Sequence, residues 1–310
     1  MSNFKFIILL GILVTYYNSA FTQINIKSDI SFNNAGLKDT VGNMKFSRLS
    51  LGLSATLYKS YNIEKEQYHS LMFSINNSFS RFTYSPDFTS QDNIGIQSGL
   101  TYLYNGNQKN TFIISILPFI SSEISEIEHS NISWLTLALY DRKVNSNWNY
   151  NLGLIYLKTI KNQLILPIIG FNYNFNDFNK IDVKLPFKIQ YTHIHNQTNS
   201  SVINLGFNGF HSEINQVDNT NAIITLRQLI ISYSFEQKIK NAFKWFARIG
   251  LTTGSNVNFS NFTENYPERQ LKSGLLIQAG IKYTFAKTQK FSNFEVPDIF
   301  NIQNFFDKDN

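Results

Sequence analysis

Cysteine is absent from the 310-residue chain, which excludes disulfide frameworks, thiolate nucleophiles and Cys-based zinc sites. Charge is scarce as well. Asp, Glu, Lys and Arg together make up 15% of the residues, against roughly 25% in ordinary soluble domains. No apolar run reaches the roughly 20 residues of a membrane-crossing helix. Glycine-rich phosphate loops, a nucleophile elbow, a zinc helix motif and a dinucleotide fingerprint are all missing, so phosphoryl, acyl and hydride transfer lack their usual carriers. No repeat of the propeller or solenoid kind is found. The net charge of +6 comes from basic residues scattered singly, without the stripe or arm of a nucleic-acid surface, so no nucleic-acid partner is expected.

Aromatic and neutral polar residues are what the chain has in plenty. Phe and Tyr number 28 and 16, and aromatics reach 15%, while mean hydropathy stays near zero at −0.19. Alternating faces, one toward lipid and one toward water, produce that combination. At the start of the chain, Lys5 supplies a positive charge and Phe6 to Tyr17 an apolar stretch. Ser19-Ala20-Phe21-Thr22-Gln23 then offers small residues for cleavage. This pattern predicts a signal peptide over residues 1–22, the stretch being too short for a transmembrane anchor. An exported chain without a membrane helix is either free in solution or closed into an outer-membrane barrel, because only helices and closed barrels satisfy their backbone in lipid.

Period-2 alternation decides for the barrel. Leu49, Leu51, Leu53, Ala55 and Leu57 oppose Arg48, Ser50, Gly52, Ser54 and Thr56. Ile94, Ile96, Leu100 and Tyr102 oppose Asn93, Gly95, Gln97, Gly99 and Thr101. The same split runs through 147–156, 181–191 and 274–285. Segments of this length suit tilted membrane-crossing strands better than the five or six residues typical of soluble ones. Thirteen runs qualify, near 24–33, 46–59, 67–84, 94–104, 111–120, 131–140, 147–157, 164–175, 181–193, 201–211, 222–236, 242–252 and 271–285. Single-chain bacterial barrels have even counts and alternate long outer loops with short periplasmic turns. The long links change parity between about residues 120 and 200, so one strand there is split or merged. The expectation is an all-β, antiparallel transmembrane β-barrel of about twelve strands, within a range of ten to fourteen, over residues 23–285. Both its termini are expected on the periplasmic side, with the link Ser255 to Gln270 as an outside loop and 286–310 as a periplasmic or lumenal tail.

Aromatics near strand ends, among them Tyr58, Tyr102, Tyr140, Trp148, Tyr191 and Tyr283, read as interfacial girdles. The opposing faces carry Gly, Ser, Thr and Asn with few charges, unlike the Lys- and Glu-rich outside of a soluble sandwich. By parity the lumen receives Arg48, Lys184, Lys188, Lys244, Arg248 and Lys282, offset by Asp182 and Glu236. Rings of Lys and Arg favour anions in pores. The alternative is that these side chains pair with acids and fill a narrow interior. His193 and His195 share the lipid-facing parity of Tyr191, so a lipid-acting enzyme or a two-histidine metal site is weighed against interfacial side chains. Glu123, Glu126, Glu128 and His129 form an acidic loop cluster, read as solvated rather than metal-binding. His69 and His211 stand alone. No catalytic residue, metal or cofactor is assigned.

Ile165 to Tyr191 contains a Pro-apolar-apolar-Gly-Phe strand (Pro167 to Phe171), an Asn-rich turn and a Leu185-Pro186 strand, and Gln278 to Phe285 reads as a closing strand. These motifs resemble a family of outer-membrane β-barrel proteins of unknown function common in Bacteroidota. The resemblance implies location in the bacterial cell outer membrane and carries over no substrate or catalytic residue. The functional expectation is passive passage or binding of small molecules, or a structural role. An outer-membrane lipid-acting enzyme and a secreted soluble β-rich adhesin are the alternatives. Expected partners are outer-membrane lipids and lipopolysaccharide, and the barrel assembly machinery during insertion.

Overall fold

The computed structural model describes residues 24–285 apart from 37–42, 63, 65, 85–90, 108, 125–131, 160–162, 216–220, 241–242 and 262–268. The expected signal peptide, the 286–310 tail and residues Glu126, Glu128 and His129 lie outside the described residues. Fourteen strands build the wall. They are β1 (Ile24–Gly36), β2 (Asn43–Asn62), β3 (Gln67–Tyr84), β4 (Gln91–Gly106), β5 (Asn110–Glu123), β6 (Ser133–Lys143) and β7 (Trp148–Lys158). The others are β8 (Gln163–Asn174), β9 (Asn179–Leu185), β10 (Lys188–Ile194), β11 (Asn199–Asn215), β12 (Asn221–Lys240), β13 (Phe243–Asn261) and β14 (Gly274–Phe285). A two-residue piece, Arg269–Gln270, pairs with β13 and brings the sheet to fifteen.

Each wall strand pairs antiparallel with its sequence neighbours, and β14 closes the ring on β1 through Ile24↔Phe285 to Asn34↔Leu275. Closure pairs the first strand with the last and so removes the two terminal edges that lipid would not tolerate. The count is fourteen rather than the expected twelve, inside the stated range. The run 181–193 is two strands, β9 and β10, folded back at Pro186-Phe187 with Lys184 opposite Lys188. A Leu-Pro-Phe sequence preserves apolar alternation through the turn, which hid it. With this split the parity is regular. Links at the rim that holds Ile24 and Phe285 (the terminal rim) span 63–66, 107–109, 144–147, 175–178, 195–198 and 241–242. The longest links, 124–132 and 262–273, lie at the opposite, far rim. The expected loop from Ser255 begins later, since β13 runs on to Asn261.

Three terminal-rim turns share one device. Asn145, Asn176 and Asn196 each accept, through Oδ1, two backbone N–H bonds at 2.8–2.9 Å from the residues two and three positions on. A short amide acceptor replaces the missing ladder partners and closes the hairpin in four residues. Three register shifts reset the pleat, one of them between Lys238 and Lys240 near the terminal rim. The register shift between Thr56 and Tyr58 adds Leu57 and leaves Leu57 and Tyr58 both exposed. In β13 the shift opposite Arg227 and Leu229 contains Gly254 at φ +55°, a left-handed conformation that glycine adopts without steric cost.

Outward positions carry Ile26, Ile30 and Phe32 on β1, Leu49 and Leu51 on β2, Ile114 and Ile116 on β5, and Ile277 and Ile281 on β14, all exposed. That is an inside-out distribution for water and the ordinary one for lipid. Near the far rim the bidentate pair of Arg81 and Asp92, at 2.6 and 2.8 Å, stands on the outer face and marks the upper limit of the apolar band.

Candidate functional site

All eight residues assigned to the lumen by parity stand at inward register positions, and the structure brings seven of them toward the terminal rim. Lys238, Lys244, Lys282 and Lys27 are register partners across β12, β13, β14 and β1, forming one row of like charge. Lys244 is paired with Glu236, and Lys27 lies 3.8 Å from Asp29. On β9 and β10, Lys188 and Lys184 approach Asp182 at 2.6 and 3.7 Å. One layer deeper, Arg248 donates to Ser234 and Gln278, both at 2.9 Å, and Gln278 donates to Asp29 at 2.8 Å. Arg48 is separate from these, nearer the far rim and 5.9 Å from the Phe46 ring centroid. The lumen set read from the sequence leaves out Lys27 and Asp29, although the alternation of 24–33 puts both on the polar face, and Lys238, which lies beyond the run 222–236.

Above this charged vestibule the bore narrows to neutral polar side chains. Asn33 donates to Gln228 at 2.6 Å across two intervening strands, and Thr252 reaches Asn33 at 3.4 Å. Ser212 donates to Asn93 at 2.9 Å, from β11 to β4 on the other side of the ring. Gln97 is fully enclosed, and neither end of its amide has a partner within the described chain. Such an amide is ordinarily served by water or a bound solute. Toward the far rim Met44, Phe46, Phe82, Ile224, Leu226, Val257 and Leu271 pack into an apolar plug.

The uniformly polar lumen expected from parity is corrected on β5 to β8. There the inward face is apolar: Ile113, Leu117, Phe119, Leu135, Leu137, Leu139, Ile155, Leu157 and Ile168 form one buried cluster with Tyr68 and Leu103. β5, β6, β8 and the far end of β7 are greasy on both faces, so alternation could not separate inside from outside there. Gly99 makes the cluster possible. A Cβ there would lie 2.2 Å from the Ile116 carbonyl oxygen and 2.7 Å from Leu117.

On the outside an aromatic belt follows the terminal rim, with ring centroids 4.8–6.3 Å apart from His69 through Tyr104, Phe112 and Tyr140 to Tyr150. His193 and His195 belong to this belt, 4.7 Å apart and edge to face. His193 and Tyr191 both bond Asn179 Oδ1 at 2.7 Å. His195 Nε2 lies 2.7 Å from Ser201 Oγ, which also bonds the Tyr233 hydroxyl at 2.8 Å. The spacing is that of a base and a nucleophile, but the Ser201 oxygen is shared with Tyr233. Polar tips satisfied along an apolar ring are what an interfacial belt needs. His69 bonds Tyr102 at 2.6 Å, while the side chain of His211 is outside the described set. No group of three His, Asp or Glu that could hold a metal occurs among the described residues.

A family model described as Domain of unknown function (DUF6268) matches residues 18–284. None of the curated proteins matches. Among solved structures, similarity is found to an outer membrane channel from Pseudomonas putida F1, at 11% identity and TM-score 0.45 over 86% of this chain and 96% of that one. It extends to a mutant of the TodX monoaromatic hydrocarbon channel, at 10% identity and TM-score 0.42 over 86% and 90%. A third is the translocator domain of the autotransporter NalP from Neisseria meningitidis, at 9% identity and TM-score 0.37 over 91% and 97%. These are bacterial outer-membrane barrels, channels and a translocator rather than enzymes.

Proposed function

The chain belongs to the DUF6268 family of domains of unknown function, and from that premise and the geometry above we propose an integral outer-membrane β-barrel for passive passage or lumenal binding of small molecules. One observation carries the membrane part: a closed ring of antiparallel strands turns large apolar side chains outward on strand after strand, above an aromatic belt. In water that surface would be an extended aggregation site, and in a bilayer it is solvated. The lumenal part rests on the vestibule. Four lysines in one cross-strand row repel one another, with Glu236 and Asp29 as the acids beside them. The terminal rim is therefore suited to admitting small anions and the plugged far rim to holding them back.

On this reading the terminal rim is periplasmic, the outer face meets outer-membrane lipids and lipopolysaccharide, and insertion uses the barrel assembly machinery. The host is a Gram-negative bacterium of the Bacteroidota, by the likeness of Ile165 to Tyr191. No enzymatic role forms part of the proposal. Membrane fractionation with detergent extraction tests it, followed by electrophoresis of unheated and boiled samples. Recovery in the outer membrane and faster migration before boiling are expected. A monodisperse species in the aqueous fraction would overturn it.

A further inference from the structure

The wall has uneven height. β9 and β10 have 7 residues each, against 20 in β2 and β12. A tilted membrane strand uses about 9–11 residues, so the β9–β10 hairpin stops short within the apolar band. Its neighbours continue. β8 pairs with β9 only as far as Ile169↔Leu185, leaving the edge of residues 163–168 without a strand partner among the described residues. β11 pairs with β10 only as far as Lys188↔Gly206, with one further bond from Phe207 N to the Phe187 carbonyl at 3.3 Å. Higher up, β11 leaves this side and meets β5 directly through the parallel bridge Glu213↔Ser122, bypassing the five strands between them.

Among the described residues the result is a gap framed by β8, the Pro186-Phe187 turn, β11 and the β5–β11 contact. Three strand spacings separate β8 from β11, about 14 Å in a regular sheet. Exposed apolar side chains stand beside it, Ile165 and Ile169 on β8, Leu185 on β9 and Phe207 on β11, so it opens within the lipid band below the far rim. Unpaired backbone at that depth is tolerated only where it lines a cavity or is buried in protein. On the inner side, Leu164, Leu166 and Phe187 pack against the apolar cluster of β5 to β8, which descends along the wall to Tyr68 and Leu103 near the terminal rim.

We propose that this gap is a lateral portal through which the apolar inner strip communicates with the bilayer, and that the molecules it passes are small and hydrocarbon-like. Phe187, on the turn that forms the sill, is the gating side chain. An apolar solute following β5 to β8 keeps to greasy side chains and avoids the polar constriction at Asn33 and Gln228. This assignment deepens the passage proposed above and rests on membrane insertion.

The test places one indole at a time in a background with Trp134, Trp148 and Trp245 changed to Phe, in vesicles of phosphatidylcholine brominated in its acyl chains. Ile277→Trp reports the outer wall far from the gap, Leu166→Trp the inner face beside it, and Ser50→Trp the inner face of β2 opposite. Loss of fluorescence at position 166 comparable to that at 277, with none at 50, is expected, and adding Phe187→Ala should deepen the loss at 166. Position 166 behaving like position 50 would overturn the portal while leaving the membrane barrel intact. An unquenched indole at 277 would overturn both. Should Leu166→Trp fail to fold, Leu164→Trp on the same face carries the same readout.

Discussion

Ile277 and Gln278 are neighbours in β14, and the pleat sends one into lipid and the other into the bore. Ile277 is exposed on the outer face, whereas Gln278 links Arg248 to Asp29 inside. Ile277→Arg is expected to destabilise the inserted barrel by about 1–4 kcal/mol, the range for a charge on the lipid face between the interface and the midplane. Ile30→Ser, which leaves no charge in lipid, should cost much less. Urea titration of folding into lipid vesicles, followed by tryptophan fluorescence, measures both. Leu135, fully enclosed in the inner apolar cluster, should lose about 2–5 kcal/mol on change to Ala, because the surrounding side chains collapse only in part. That magnitude would be inconsistent with a hydrated lumen at β6. Residue parity groups the eight charged positions on one face because charge contrasts sharply with the apolar face beside it. It failed for Leu117 and Leu135, whose strands carry large apolar residues on both sides, leaving nothing in the sequence to mark which side is enclosed.

At the scale of elements the long strands were legible and the short hairpin was not. β2 and β4 announce themselves by many alternating pairs, whereas β9 and β10 offer few each and are joined by a turn that keeps the alternation going. Turn chemistry was the better guide, since Asn174 to Asp177 and Asn196 to Asn199 fold where asparagine density predicts. Asn176→Ala removes an acceptor of two backbone N–H groups. At 0.5–1.5 kcal/mol per hydrogen bond, a loss of roughly 1–2 kcal/mol follows, reduced by water reaching the exposed turn. The same titration should show this loss with an unchanged slope. The contact between β5 and β11 admits a sharper check, because the chain has no cysteine to interfere. Bridge partners in a sheet sit within the Cα separation a disulfide accepts. Ser122→Cys combined with Glu213→Cys should therefore cross-link under mild oxidation in the folded barrel and remain reduced in protein boiled in SDS. Absence of the cross-link in folded protein would mean that β11 does not fold across to β5.

For the whole molecule, closure and plugging make opposing demands on conductance. The vestibule is wide enough for Lys27 and Lys244 to remain about half exposed, and toward the far rim Met44, Leu226 and their neighbours pack into an apolar layer. An ion moving along the axis must leave water and cross that apolar layer, and a hydrophobic constriction gates by excluding water. The intact protein is therefore expected to show no sustained current in planar bilayers with KCl. Met44→Ser combined with Leu226→Ser should open the layer to water. The current that appears should carry Cl⁻ in preference to K⁺, because Lys238, Lys244, Lys282 and Lys27 stand in one cross-strand row at the terminal rim and rings of Lys favour anions. Reversal potentials in a KCl gradient give the sign. Cation preference would mean that Asp29, Asp182 and Glu236 dominate the field, and a large current from the unaltered protein would mean that the plug does not seal.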